Sequence, residues 1–257
     1  MEFVLTRNRG KIFEIILNRF EKRNALNSLF IQELTIAFLE ADKDPEVRVI
    51  ILKAQGKVFS AGADLEYLQQ LQNNTYEANL EDSTQLKNLF KFIYLQKKLV
   101  IAQVEGHAIA GGCGLVTVCD FAFSVPEAMY GYTEVKIGFI PAVVSYFLIR
   151  KVGEAKAREL LLTGKLVSAE YMEKIGIVNE VIDAEKIEEY VLAFAEKLSI
   201  ETSANSIAAT RAMIAEIQTY RPFDAMNYAA ELNARVRMHD DCKRGIAAFL
   251  DKGEVKW

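Results

Sequence analysis

The chain reads as an α/β core followed by a helical C-terminal part, and three observations predict this. Up to about residue 150, short apolar runs alternate with amphipathic helices. Beyond Gly153 only helical spacing remains. Glycine-rich turns stand at the exits of two of the apolar runs.

The opening segment MEFVLTRNRGKIFEIIL predicts two strands around a turn. Ile12–Leu17, Val47–Lys53, Leu99–Val104 and Asp120–Ser124 are rich in Val, Ile and Phe, are bounded by turn residues, and predict buried strands. Asn27 or Ser28 can cap a helix that carries Leu34, Ala37, Phe38 and Ala41 on one face. A second helix carries Leu86, Leu89, Phe90, Ile93 and Tyr94. After Gly153, helical spacing covers Glu154–Thr163, Ser168–Ile175, Ala184–Leu198, Ser203–Gln218 and Phe223–Met238; in the third of these Ile187, Tyr190, Val191, Phe194 and Leu198 share a face. The expected division is a core over residues 1–195 and a helical C-terminal oligomerisation region over 196–257. The apolar end segment Gly245–Leu250 must dock on its own core or on a neighbouring subunit.

Composition narrows the class. A chain of 257 residues with 51% hydrophobic and 26% charged residues buries a large core and needs no staple. Cys113, Cys119 and Cys242 form neither a CxxC pair nor an even set, so they read as reduced thiols in a reducing compartment. A net charge of -4 argues against nucleic acid as a partner, because phosphate neutralisation needs clustered cations and Lys97-Lys98 is the main basic run. The N-terminus lacks the apolar block of a secretory signal, and Phe139–Ile149 is too short to span a bilayer. The expected location is therefore the cytoplasm, or an organelle matrix if a targeting segment was removed. His107 and His239 are the only histidines, and no HxxxH, HExxH or Cys/His set marks a metal site. His107 reads as a packing residue rather than a base. No Gly-x-Ser-x-Gly elbow is present, and nothing marks Ser145 as a nucleophile.

Phe59-Ser-Ala-Gly-Ala-Asp-Leu65 follows one predicted strand, and Glu105-Gly-His-Ala-Ile-Ala-Gly-Gly-Cys-Gly-Leu115 follows another. Small residues at strand exits let backbone N–H groups approach a ligand, and a helix N-terminus adds positive potential. Close strand–helix packing alone would also explain either segment. Nucleotide-loop readings fail: Gly112 stands where a P-loop needs Lys, and Thr117 where a dinucleotide fingerprint needs its third glycine. A third segment, Tyr130-Gly-Tyr-Thr-Glu-Val-Lys-Ile-Gly-Phe-Ile-Pro141, places the carboxylate of Glu134 in small and apolar surroundings. A surface ion pair with Lys136 is the alternative role for that residue.

In this order the three segments resemble the enoyl-CoA hydratase/isomerase family, also called the crotonase family. The resemblance begins at Lys22-Arg-Asn-Ala-Leu-Asn27 and ends at Phe249-Leu-Asp-Lys252. It implies a crotonase-like spiral of ββα units with a helical C-terminal region, assembled as a homotrimer or a dimer of trimers. It also implies an oxyanion hole made by the N–H groups of Ala63 and Gly111. Abstracting or adding a proton beside a thioester carbonyl puts charge on its oxygen, and each preorganised donor is worth about 3 kcal/mol at the transition state. By the same resemblance Arg23, Ala25, Ala61, Asp64, Leu65 and Glu66 lie along the CoA moiety, largely through their backbones. Gly112, Gly114, Pro141 and Ala142 count among the substrate-binding positions. Phe249 and Lys252 match residues that hold the nucleotide end of CoA, often from a neighbouring subunit. No metal or redox cofactor is implied, since CoA is part of the acyl-CoA substrate.

Two departures shape the expected chemistry. Hydratases of the family usually carry two glutamates; the second matches Glu134, and the first falls at Gly114. Glu134 is then the sole acid/base, either for hydration or for isomerisation by proton relocation. A non-catalytic acyl-CoA-binding protein is the reading from another class. After Ile140-Pro141 the chain reads Ala142-Val-Val-Ser145 instead of a glycine-rich turn, which narrows or reshapes the acyl pocket. This combination resembles hydratases of branched enoyl-CoAs such as 3-methylglutaconyl-CoA.

Overall fold

The computed structural model describes residues 1–253, 255 and 257. The chain opens with an antiparallel hairpin of β1 (Val4–Arg9) and β2 (Ile12–Leu17), closed by Asn8, whose side-chain oxygen accepts from Gly10 N–H at 2.8 Å. A 3-10 turn at Phe20–Lys22 leads to α1 (Ser28–Lys43). Asn27 is its cap, accepting from Phe30 N–H, and Leu34, Ala37, Phe38 and Ala41 are all buried as their spacing requires.

The next strands alternate between two sheets. β3 (Val49–Ala54) enters the larger sheet, β4 (Val58–Ser60) the smaller, and α2 (Leu65–Leu71) and α3 (Tyr76–Tyr94) follow. β5 (Leu99–Val104), β6 (His107–Ile109) and α4 (Gly111–Val118) repeat the pattern. So do β7 (Phe121–Ser124), β8 (Met129–Gly131) and α5 (Ala142–Thr163), with a 3-10 turn at Glu134–Ile137 between strand and helix. The turns of this ββα spiral stack along two sheets. The larger has the order β1-β2-β3-β5-β7-β10, parallel from β2 onward; the smaller has the order β4-β6-β8-β9. The last strands are β9 (Val167–Ser168) and β10 (Glu180–Val181), separated by α6 (Ala169–Lys174). Every residue of β2 and β5 is buried, as a parallel sheet covered on both faces demands.

Several sequence boundaries move, among them α7, which runs Ile187–Glu201 where Ala184–Leu198 was expected. The helix expected from Glu154 begins at Ala142 and is interrupted at Gly153, whose φ of 76° breaks it into two segments. The strand expected from Val47 begins at Val49. The division expected between 195 and 196 falls inside α7 (Ile187–Glu201), because that helix runs unbroken across β2, β3, β5 and β7. The change in character comes after Glu201, with α8 (Ala204–Ile217), α9 (Pro222–Met238) and α10 (Asp240–Leu250). Arg211 fastens α8 to the core. Its guanidinium pairs with Asp120 at 3.0 Å and donates to the carbonyls of Ile93, Gln96 and Lys98. By contrast, α9 and α10 bury no residue, and Phe223, Met226, Met238, Phe249 and Leu250 all stand exposed. Among the described residues no helix is long and apolar enough to cross a membrane.

Candidate active site

Two glycine-bearing loops meet at the C-terminal ends of β4 and β6, and their interlock fixes two backbone N–H groups. Gly62 has φ 85°, and a Cβ there would lie 2.7 Å from the Ala110 methyl carbon and 3.2 Å from Gly111 N. Only glycine lets the loops close to this distance. The Gly62 carbonyl accepts from Leu26 N–H at 2.7 Å, and the Leu26 carbonyl in turn accepts from Asp64 N–H at 2.9 Å. In a trans peptide the N–H points opposite the carbonyl, so Ala63 N–H is turned away from Leu26. On the other loop the Ala110 carbonyl accepts from Gly114 N–H at 3.0 Å, which turns Gly111 N–H outward from the start of α4. Neither N–H donates to a protein acceptor among the described residues.

Ala110 holds φ 50° and ψ -122°, a conformation an L residue adopts at a cost of about 1–3 kcal/mol. Its N–H donates to the Gly131 carbonyl at 2.7 Å, joining β6 to β8 just before α4 begins. Helix α4 itself is buried from Gly112 to Val118 and packs against α3, α5, β4 and β6. Its dipole adds positive potential at the same N–H.

The β6–β8 pairing also carries Glu134 to this place, since Glu134 follows Gly131 by one short turn. Glu134 is 9% exposed, and its Oε2 is buried without a hydrogen-bond partner among the described residues. Burial pushes the carboxyl above the ordinary glutamate range. The expected alternative, a pair with Lys136, is not among the ion pairs of the described residues, and the Lys136 chain lies over Gly164 instead. A carboxylate that is desolvated, has one oxygen free of any hydrogen bond, and follows the strand paired with the donor loop can take a proton from carbon or water and return it.

The other expected residues divide into groups. Ala25, Ala61 and Asp64 belong to the same loop cluster, with Ala61 N–H donating to the Arg23 carbonyl at 2.9 Å. The Asp64 carboxylate is spent within the protein: it caps α2 through Glu66 N–H and Tyr67 N–H, and it pairs with Arg19 at 2.7 Å. Arg23, Leu65 and Glu66 are exposed, and Glu66 pairs with Lys22. Gly112 is a packing glycine, since a Cβ there would meet the Ser60 carbonyl at 2.4 Å. Gly114 is another: a Cβ would lie 2.2 Å from Val144 Cγ1 and 2.9 Å from Phe90 Cε1. The place of a second carboxylate is thus filled by apolar side chains, and Gly114 presents no open surface to a substrate. Pro141 and Ala142 open α5, one turn ahead of that wall. Phe249 and Lys252 stand apart from the cluster, exposed on and just past α10, whose main contacts are with α8 and α9. Sequence reasoning missed Arg19 and included Asn24 only within the Lys22–Asn27 segment, because neither residue type announces its burial before the fold supplies it.

His107 is exposed at the edge of β6, where its Nδ1 accepts from Met129 N–H at 3.1 Å. Ser145 Oγ donates to the Ala142 carbonyl. Cys113 and Cys119 are buried, and burial pushes both thiols up to about 12. The cavity of about 290 Å³ bounded by Arg48, Lys97, Lys98 and α8 lies at the N-terminal ends of β3 and β5, away from these loops. Ligands of parallel α/β sheets bind beyond the opposite, C-terminal strand ends.

The family model for enoyl-CoA hydratase/isomerase matches residues 7–257. The chain belongs to that family. A relative from Thermus thermophilus, provisionally named an enoyl-CoA hydratase, is 39% identical over 244 residues, covering 95% of this chain and 96% of its own. The crotonyl-CoA hydratase of Syntrophomonas wolfei is 31% identical over 262 residues, covering 100% and 98%. The crystal structure of an enoyl-CoA hydratase from Shewanella pealeana superposes with a TM-score of 0.93 at 26% identity, covering 99% of this chain and 96% of that one. The protein is accordingly an enzyme of the enoyl-CoA hydratase/isomerase family acting on acyl-CoA, with the crotonase fold.

Proposed function

We propose that the protein is a single-base enoyl-CoA hydratase in which the N–H groups of Ala63 and Gly111 hold the thioester oxygen and Glu134 moves the proton. One observation carries this reading: the Gly62–Ala110 interlock fixes two N–H groups without acceptors, and the β6–β8 pairing carries in, just past the paired strand, a buried carboxylate with one oxygen unpartnered. In hydration, water adds its oxygen to the beta carbon and gives a proton to Glu134; the electrons of the double bond pass to the thioester oxygen as an enolate. Glu134 then delivers that proton to the alpha carbon. The two donors together are worth several kcal/mol at the enolate-like transition state. No electron acceptor is needed, so the reading calls for no cofactor beyond the CoA of the substrate.

A second reading, enoyl-CoA isomerisation, is favoured by the Gly114–Val144–Phe90 packing, because an apolar wall there leaves one base rather than two. Glu134 would take a proton from one carbon and return it two carbons away through a dienolate. The valines that follow Pro141 favour a compact or branched acyl group such as 3-methylglutaconyl, which would place the enzyme in leucine breakdown. The exposed apolar residues of α9 and α10 support a homotrimer or a dimer of trimers, with Phe249 and Lys252 reaching CoA across the subunit boundary. Reduced cysteines suit the cytoplasm.

The test is incubation with straight and branched enoyl-CoAs in deuterated water, with products read by mass and NMR. Hydration is expected to add the mass of one water with deuterium at the alpha carbon. Double-bond migration without mass gain from water would replace hydration by isomerisation, and inertness toward the whole panel would sink both. Glu134→Gln is expected to lower turnover by about 10²–10⁴-fold while CoA affinity holds.

A further inference from the structure

We propose that Arg19 is a positioning residue for the Ala63 N–H, an inference that rests on the reading of Ala63 as a thioester donor. Arg19 lies just past the end of β2 and is 8% exposed. One terminal nitrogen, Nη1, donates to the Ala25 carbonyl at 2.8 Å and reaches Asp64 Oδ2 at 2.7 Å. Ala25 immediately precedes Leu26, whose N–H fixes the Gly62 carbonyl and therefore the direction of Ala63 N–H. Asp64 immediately follows Ala63, and its second oxygen caps α2 at 3.0 Å and 3.3 Å. One guanidinium therefore grips both segments of the Leu26–Ala63 bridge, one residue before Leu26 on one and one residue after Ala63 on the other.

Arg19 is itself held from behind. Its backbone N–H donates to Asn24 Oδ1 at 2.8 Å, and the fully buried Asn24 donates to the carbonyls of Gln55 and Val58 at 2.9 Å and 2.8 Å. The guanidinium also sits over the Phe3 ring, 5.1 Å from its centroid. Arg23 and Asn24 occupy consecutive left-handed conformations, φ 52° and 51°, and these bonds keep that turn closed. A buried ion pair is a poor means of gaining stability alone, since apolar packing of the same volume serves as well or better. A forked, rigid donor is well suited to fixing geometry, and a lysine cannot reproduce the fork. The pair, together with Asn24, thus forms a relay from the β3–β4 connection to one half of the oxyanion hole.

The experiment reads the donor directly. Enoyl-CoA labelled with ¹³C at the thioester carbonyl is bound to the Glu134→Gln enzyme, which consumes it slowly, and the carbonyl stretch is recorded by difference infrared spectroscopy within the first turnover. The stretch is expected to fall below that of free enoyl-CoA. Adding Arg19→Gln or Asp64→Asn should return it toward the free value; an asparagine can still cap α2, so Asp64→Asn removes the charge but not the cap. In the otherwise wild-type enzyme the same changes should lower kcat about 10–100-fold with KM nearly constant, and Arg19→Lys should fall between. A carbonyl band that stays fully lowered in all three variants, with kcat loss matching only the loss of folded protein, would reduce the pair to packing. If the Glu134→Gln enzyme alone shows no lowering, the donor reading fails, and this inference with it.

Discussion

Helix α4 and helix α10 carry similar material to opposite ends. Each contains glycine and a run of small and apolar residues: Gly-Gly-Cys-Gly-Leu-Val in one, Gly-Ile-Ala-Ala-Phe-Leu in the other. α4 is buried throughout after Gly111, enclosed by α3, α5 and the smaller sheet. α10 buries nothing, and Phe249 is 83% exposed. The difference teaches that apolar periodicity states a demand for burial without naming who meets it. α4 is satisfied within the chain and can hold a precise geometry at its first N–H. α10 leaves its apolar side chains exposed and holds no such geometry.

The sharpest way to break the contrast is to spoil the packing of α4. Gly114→Glu forces a Cβ to within 2.2 Å of Val144 Cγ1 and a carboxyl into an apolar wall, so a stability loss on the order of 4 kcal/mol or more is expected in thermal unfolding. Val144→Gly in the same chain should recover part of it, and hydratase activity gained in that double variant would show that a second carboxylate is of use here. Next in size is Arg211→Ala. It leaves partly buried Asp120 with only the charge of Lys151 nearby and orphans the carbonyls that Arg211 held, at an expected cost of about 3 kcal/mol, read as a lower Tm and faster proteolysis of the last three helices.

On the other side of the contrast, Phe249→Asp should change monomer stability by no more than about 0.5 kcal/mol yet shift the assembly to smaller species in light scattering. An unchanged assembly would mean that α10 is not the covered face. The smallest effect is on pH. Glu134 must be ionised to accept a proton, and its carboxyl is raised by burial, so activity should fade with falling pH sooner than for an exposed glutamate. The stability consequence has the opposite sign. A carboxyl raised in the folded state costs stability above its unfolded pKa, so Glu134→Gln should unfold at a slightly higher temperature near neutrality, with the gain shrinking as pH falls.

Much of this was legible from the residues. β2 and β5 are nearly continuous apolar runs covered on both faces, and the helices α1, α7 and α8 carry an apolar stripe or a clear cap, so each announces its type. The smaller sheet was not legible. Its strands, such as β6 (His107–Ile109) and β9 (Val167–Ser168), are too short to complete an alternation, and tertiary pairing alone makes them strands. Of the site, the two glycine loops and Glu134 were visible as a small-residue pattern around one carboxylate. The role of Gly114 was not, because an absent side chain does not reveal that Val144 and Phe90 fill its place. Nor was Arg19, which looks like any surface arginine until the fold buries it against Asp64.

The Gly62–Ala110 interlock also bears on the order in which the molecule is made. The residues it joins are about fifty positions apart, and neither loop has its final shape until β4 and β6 have paired. Contacts of such long range form late when a chain folds. The β3–β5 pairing of the larger sheet spans a like distance, Val49 to Leu99, so the donor pair closes together with that sheet, and recovered turnover should track its recovery while the local hairpin and helices run ahead.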